Sequence, residues 1–305
     1  MKKQDENYFK VARGVWGLKI IFVNIFMVQD KESGKWILID GGLKGSSGRI
    51  IRMSEKLFGK GTSPEAIVLT HGHFDHRGAL KELLKKWNVT IYAHSLEAPY
   101  LTGLSPYPPS DPFAGGGIMA LTSALFPNKP IDLGKNFKKL RGNTVPNMPE
   151  WKIIPTPGHS PGHISLYRES DKTLIAGDAF VTTKQESAYY VITQKKKLCG
   201  PPKFYTPDWV SAKSSVEKLA ALKPKSAAAG HGKPMYGRDL QNNLKDLALH
   251  FDEQAIPHSG RYVSEPAVAN ASGIVRLPKS TMVPKLLTAM VIMVLLTTVV
   301  IKLRQ

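Results

Sequence analysis

The sequence predicts an α/β fold, and two observations carry that prediction. Short apolar runs rich in β-branched residues alternate with stretches whose apolar positions recur at helical spacing. The histidines and aspartates that could do chemistry fall just past those short runs, as a site built at the ends of a sheet requires. At 305 residues the chain has room for one large domain or two small ones with a substantial core.

The elements follow in order. Residues 1–10 are polar and predicted to be loose. Lys19 to Val28 and Trp36 to Ile39 read as strands joined by a turn at Lys31-Glu32-Ser33-Gly34. Asp40-Gly41-Gly42 ends the second strand, and Asp40 is placed either to hydrogen-bond the histidine-rich loop or to cap a turn. Ser46 and Ser47 are candidate caps of a helix marked by Ile50, Met53 and Leu57 and ended by Gly59. Ala66 to Leu69 reads as a buried strand. Leu80, Leu83, Leu84 and Trp87 then mark an amphipathic helix, and Val89 to Ala93 the next strand.

Residues 96–150 change character. They are rich in Pro and Gly, which predicts a long irregular insertion serving as a lid or binding loop. Tyr100, Tyr107 and Phe113 are its candidates for lining a pocket, with surface packing an equal explanation. Strands are predicted at Trp151 to Pro155, Ile164 to Tyr167, Thr173 to Ala176 and Ser226 to Ala229. Residues 180–207 are again irregular and include Lys195-Lys196-Lys197. Trp209, Ala212, Val216, Leu219 and Ala220 mark a helix with Asp208 as its cap, and Leu240, Leu244, Leu247 and Phe251 mark another. Residues 257–284 carry no period and read as a linker.

The stretch with chemistry is His71-Gly72-His73-Phe74-Asp75-His76. His71 and His73 are two apart, so in an extended segment they face one side. Asp75 and His76 are adjacent and cannot both join them there. Two metal ions resolve this, one on His71 and His73, the other on Asp75 and His76. Catalytic zinc usually takes three protein ligands plus water, so further ligands must lie downstream. His159, held by the Pro157-Gly158 turn, is one candidate, and His231, between Gly230 and Gly232, is another. Asp178 has two carboxylate oxygens and is able to bridge two metals; otherwise it caps a turn. His163 reads as a supporting or structural residue, and His94, at a strand end, as structural.

Composition adds limits. The single Cys199 excludes an internal disulfide framework and a cysteine-rich zinc module. Lys plus Arg exceed Asp plus Glu by 42 − 24 = 18. That surplus suits an anionic substrate, an anionic membrane surface or nucleic acid, and equally simple solvation. No secretory signal is expected, because the apolar stretch Val15 to Val28 is interrupted by Lys19 and Asn24 and no cleavage site follows. Leu286 to Ile301 is uncharged and apolar, between Lys285 and Lys302. As a helix it spans about 24 Å of a roughly 30 Å hydrocarbon core, so a membrane anchor with snorkelling lysines is predicted. A buried helix or an oligomer contact is the alternative.

Together, Leu38-Ile39-Asp40-Gly41-Gly42, the His71 to His76 loop, Pro157-Gly158-His159-Ser160-Pro161-Gly162-His163, Gly177-Asp178 and Gly230-His231-Gly232 resemble the metallo-β-lactamase superfamily over residues 11–252. The resemblance implies an αββα sandwich of two mixed sheets flanked by helices, over residues 1–256. The linker 257–284 and the C-terminal apolar segment 285–305 would complete a cytoplasmic, membrane-associated protein. It implies that His71, His73 and His159 hold one metal, Asp75, His76 and His231 the other, with Asp178 bridging. Two Zn²⁺ are expected, Fe or Mn being alternatives, and such a pair supplies hydroxide at neutral pH. Having both Asp75 and Asp178 resembles the hydroxyacylglutathione hydrolase and lactonase branches. An ester, thioester or lactone of a small, anionic or acyl-bearing molecule is the expected substrate, with Asp75 passing the proton. A phosphodiesterase or nuclease is the runner-up. Only 52 residues separate Asp178 from His231, too few for the inserted domain of the RNA-cleaving branch, so nucleic acid is not the favoured partner. A third reading is a non-hydrolytic diiron or metal-binding protein, though the flavodoxin-like domain expected of diiron reductases is missing. Oligomeric state is open.

Overall fold

The computed structural model describes residues 8–30 and 32–279. The expected anchor, Leu286 to Ile301, and Lys31 of the expected turn lie outside the described residues. Among those described, no helix is long and apolar enough to cross a membrane.

Seven strands form the first sheet in the order of the chain: β1 (Tyr8–Ala12), β2 (Val15–Ile20), β3 (Val23–Gln29), β4 (Trp36–Ile39), β5 (Ala66–Val68), β6 (Thr90–Ala93) and β7 (Phe137–Lys139). The pairings are antiparallel from β1 to β4 and parallel from β4 to β7. The second sheet runs β13-β12-β11-β10-β9-β8, from β8 (Thr144–Val145), β9 (Met148–Pro155), β10 (Ile164–Arg168), β11 (Thr173–Ile175), β12 (Ser226–Ala228) and β13 (Met235–Tyr236). Within it β11 and β12 are parallel.

Why the sheets stack follows from the period of two along each strand. In β3 and β4, Phe26, Val28, Ile37 and Ile39 face Trp151, Ile164, Leu166 and Ile175 of the second sheet. The alternate residues Ile25, Met27, Trp36 and Leu38 face outward, onto Ile50 and Met53 of α1 (Ser47–Phe58) and Leu80 and Leu83 of α3 (Leu80–Lys86). Both faces are buried, so Ile25 to Val28 and Trp36 to Ile39 read as unbroken apolar runs. On the far side Leu174 and Ala227 pack against Val216 and Leu219 of α7 (Trp209–Ala221) and Leu240 and Leu244 of α8 (Gly237–Leu249). The result is four layers, helix, sheet, sheet, helix.

Several expectations need correcting. The run Lys19 to Val28 is not one strand. Ile20 pairs with Val23 across a tight turn at Ile21-Phe22, with Ile21 left-handed at φ 57°. A turn made of two apolar residues carries no Gly, Pro or Asn to announce it. Residues 8–10, expected loose, begin β1. Ser46 is the N-cap residue of α1, but neither serine side chain caps it: Ser46 Oγ donates to Leu43 O and Ser47 Oγ to Glu82. Asp208 does cap α7, accepting from Ser211 N at 3.0 Å. The insertion 96–150 contains the short helices α4 (Ala98–Leu101) and α5 (Ile118–Thr122), the strands β7 and β8, and the start of β9; α2 (Phe74–Arg77) lies in the histidine-rich loop and α6 (Ala188–Thr193) in the stretch 180–207.

The expected linker is a packed segment over its described part. Residues 268–276 form the hairpin β14 (Val268–Asn270) and β15 (Gly273–Arg276). Ahead of it, Tyr262 Oη donates to Pro109 O at 2.6 Å and Ala267 N to Pro207 O at 2.9 Å. Asp111, buried, accepts from Arg261 N through Oδ2 and from Phe113 N through Oδ1. These contacts have no sequence period, which is why the segment reads as a linker. Replacing Asp111 by Ala removes the acceptor that ties residue 261 to the insertion. Trypsin should then cut after Arg261 at least several-fold faster with the far-UV spectrum unchanged, while Asp111→Asn, which keeps an acceptor oxygen, should resist. Equal cutting of Asp111→Ala and the parent would refute the tether.

Candidate metal centre

His71 to His76 follow β5, His159 follows β9, Asp178 follows β11, and His231 follows β12. The sandwich therefore delivers all seven side chains to one end of its sheets, and each is buried. Three trios have ligand atoms within 4.8 Å of one another: His71, His73 and His159; His71, His76 and Asp178; Asp75, His76 and His231. The trios share members, so the seven residues form one continuous cluster. The direct distances agree. His231 Nε2 is 3.1 Å from Asp178 Oδ2 and 3.4 Å from Asp75 Oδ2, and both His76 Nε2 and His159 Nε2 are 3.6 Å from Asp178 Oδ2. Asp178 faces both halves of the cluster, as a bridging carboxylate must.

The residues fit a bound cation on their own terms. His71 Nε2, His76 Nε2 and Asp178 Oδ1 are buried without a hydrogen-bond partner. Buried polar atoms are ordinarily paired, and an orphaned set of lone pairs aimed at one volume is what a metal ion satisfies. His73 Nδ1 and His159 Nε2 face each other at 2.9 Å, a contact that either a shared proton or a common cation can occupy. Gly230 leaves the space that Asp178 and His76 fill, since a Cβ there would strike the Asp178 carboxylate.

Protonation follows position. Burial lowers His71 and His73 well below the usual imidazole value, and takes His159 down to about 4. These three are neutral at pH 7, the form in which an imidazole can bind a metal. Burial works the same way on His76 and His231, but Asp178 leads a set of carboxylates that raises both. Burial pushes Asp75 up, whereas Asp178 lies well below the carboxylate range because His231 and His76 outweigh its burial. The cluster thus separates into a neutral three-histidine side and a charge-paired side.

Second partners orient the ligands. Asp40 accepts from His76 Nδ1 at 2.8 Å and from Thr70 N and Oγ1 at 2.8 and 2.9 Å, so it braces the histidine loop rather than a turn of its own. His163 Nε2 accepts from Asp178 N at 2.8 Å and its Nδ1 meets Thr156 Oγ1 at 2.8 Å; burial lowers it to about 3. His231 Nδ1 donates to Phe22 O at 2.8 Å, which turns Nε2 toward the cluster. His94 stays outside it, accepting from Leu96 N at 3.2 Å. Cys199 lies away in a backbone bridge with Val181, its thiol pushed up to about 11 by burial.

Two supports escaped sequence reasoning. Asn24 donates to Ala229 O at 2.9 Å and Gly232 O at 2.7 Å, clamping the loop of His231 onto β3. Its signal was present, as a lone polar residue interrupting an apolar strand. Glu97 gave no signal. Fully buried, it accepts from Gly72 N at 3.0 Å and Tyr107 Oη on one oxygen, and from Ser160 Oγ and Gly162 N at 2.8 Å each on the other. One carboxylate therefore ties the loops of His71–His73 and His159–His163 together. Burial pushes it above the usual range, against the pull of those four donors. Tyr107 and Tyr100 are buried and stacked at 3.8 Å, with Tyr107 also 4.5 Å from the His73 ring, so they brace the loop instead of lining a pocket. The mouth is lined by Phe22, Phe74, Met119, Phe126, Phe204 and Tyr205, around a cavity of only about 20 Å³.

Two facing mixed sheets, helices on both outer faces and a His/Asp cluster at the strand ends define an αββα protein built to bind metal. The chain belongs to the metallo-beta-lactamase superfamily, whose family model matches residues 19–231. The probable metallo-hydrolase YflN of Bacillus subtilis is 44% identical over 242 residues, 79% of this chain and 92% of that one. The hydroxyacylglutathione hydrolase GloC of Haemophilus influenzae is 27% identical over 155 residues, 51% of this chain and 65% of that one. Among solved structures, a beta-lactamase domain protein from Burkholderia ambifaria superposes with a TM-score of 0.56 at 20% identity, covering 80% of this chain and 76% of that one. A metallo-beta-lactamase family protein from Thermus thermophilus gives 0.53 at 20% identity, covering 80% and 81%. At such identities these two show the fold alone.

Glu97 generates a prediction. Glu97→Gln sets an N–H₂ group against the two donors of one oxygen, a backbone N–H among them, at a cost of about 1–3 kcal/mol. The unfolding midpoint should fall by several degrees. A midpoint unchanged from the parent would show that the two loops do not depend on this carboxylate.

Proposed function

We propose that this chain is a metal-dependent hydrolase of small carbonyl esters, thioesters or lactones. The observation that carries this reading is the set of seven buried side chains that converge in three overlapping trios, with His71 Nε2, His76 Nε2 and Asp178 Oδ1 left without hydrogen-bond partners. On this reading His71, His73 and His159 would hold one divalent ion, Asp75, His76 and His231 would hold a second, and Asp178 would serve both. Zinc suits the imidazole and carboxylate donors, as do iron and manganese. Bound metal would supply a hydroxide nucleophile at neutral pH and an electrophile for the carbonyl oxygen.

The chain's own residues do the rest. The three neutral histidines ligate without first losing a proton. Asp40, His163 and Glu97 hold the ligand loops rigid, which keeps the reacting geometry fixed. Asp75 Oδ2 lies beside both His231 and His76 and is the acceptor we assign to the proton released when water attacks. The ring of Phe22, Phe74, Phe126 and Tyr205 excludes water and favours an apolar substrate face. The hydroxyacylglutathione hydrolase among the relatives supports the acyl reading. Membrane attachment through 285–305 and a cytoplasmic location are part of the same proposal, resting on sequence alone.

The test is hydrolysis of p-nitrophenyl acetate, an acyl-glutathione thioester and a γ-lactone by purified protein. Activity should vanish on chelation and return with Zn²⁺, Fe²⁺ or Mn²⁺. His73→Ala and Asp178→Ala should each lower kcat/KM by at least roughly 10²-fold. Turnover that survives both substitutions, or that ignores the chelator, would end this reading; turnover confined to a phosphodiester would move it to the alternative chemistry.

A further inference from the structure

A second cavity lies on the other side of Phe74 from the metal cluster, with a volume of about 580 Å³. That is within the range of small-molecule sites. Its walls join two kinds of chemistry. Leu43, Phe74, Pro130 and Ile131 give it an apolar floor. Lys44, Arg77, Lys81 and Lys129 give it four cations. Among the described residues, none of these four forms a salt bridge. The acid at the rim, Glu82, is already engaged by Ser47 Oγ at 2.6 Å and Gly45 N at 2.9 Å.

Arg77 is the informative member. It is 4% exposed, so its guanidinium has left water. Nη2 donates to Lys129 O, but Nε and Nη1 have no partner. A buried guanidinium ordinarily has its donors filled, by a carboxylate in many cases. The neighbouring carboxylates are committed elsewhere: Glu97 to four donors, and Asp75 to the metal cluster. A surplus of positive charge, four cations against the one carboxylate of Glu82 in the lining, set beside apolar side chains, is complementary to one class of molecule. A compact anion satisfies the cations and wastes the floor. A neutral lipid does the reverse.

We propose that this cavity binds a single-chain amphiphile with an anionic head, a medium-chain acyl carboxylate, its head among Arg77, Lys81 and Lys129 and its tail along Ile131 and Phe74. The site is separate from the metal cluster, and Phe74 is the wall the two share. Occupancy does not require turnover, so the proposal stands or falls apart from the hydrolase reading.

Isothermal titration of the full-length protein with octanoate tests it. Octanoate should bind saturably, and hexanoate about fifteenfold more weakly, since each of the two buried methylenes lost is worth roughly fourfold in affinity. Octylammonium, with the same tail and the opposite charge, should bind at least tenfold more weakly than octanoate, and acetate should not saturate. Lys81→Glu combined with Lys129→Glu reverses two exposed charges without touching the core, and should weaken octanoate at least tenfold. Ile131→Asp should do the same from the apolar side. Equal binding of octanoate and octylammonium would overturn the proposal. So would octanoate binding unchanged in the double variant, the outcome expected if the apolar run Leu286 to Ile301 takes up the acid. Binding to phosphatidylglycerol vesicles with none to monomeric octanoate would likewise overturn it, by making the lipid surface the ligand.

Discussion

The structure depends on the burial of seven imidazole and carboxylate groups in one volume with too few hydrogen-bond partners. Burying a polar group without a partner costs about 1–3 kcal/mol, and a like-charged pair of carboxylates such as Asp75 and Asp178 costs more. The protein meets part of that cost itself. His76 and His231 are raised by Asp178 and its neighbours and act as internal cations against Asp75 and Asp178. On the three-histidine side burial outweighs Asp178 and keeps His71, His73 and His159 neutral, so their ring nitrogens are open to a cation. A site of this kind is under electrostatic tension until a cation enters it.

That tension is held by the architecture. Each of the seven side chains lies past the end of a strand, from His71 just after β5 to His76 further along the same loop, where the backbone is anchored by its sheet but the loop is free to choose a direction. Three side chains then fix the direction. Asp40 reaches from the end of β4 to the loop after β5. Asn24 reaches from β3 to the loop after β12. Glu97 reaches from the turn after β6 to the loops after β5 and β9. Each crosses between chain segments that only the folded sandwich brings together, so the ligand geometry is a product of the whole fold.

How much of this the sequence reveals depends on the range of the interaction. The seven cluster residues were legible because they are local: three histidines and an aspartate within six residues, and the others beside Gly or Pro at predicted strand ends. The central strands and α3, α7 and α8 were legible from their period. Glu97 was not, because a buried carboxylate with four neutral donors looks in sequence like any surface glutamate before a helix. The Ile21-Phe22 turn was hidden because apolar residues make it. The segment after 257 was hidden because it is held by single hydrogen bonds to Pro109, Asp111 and Pro207 rather than by an apolar face. Tyr107, a candidate for lining a pocket or for surface packing, is instead buried, its hydroxyl accepting from Gly72 N and donating to Glu97.

Counting the cations measures the central claim most directly. Metal-free protein titrated with Co²⁺, followed by its visible spectrum and by elemental analysis after gel filtration, should take up two ions per chain. His231→Ala should retain one, because the three-histidine side is left whole. Uptake of a single ion by the parent protein, or of none, would contradict the two-cation account.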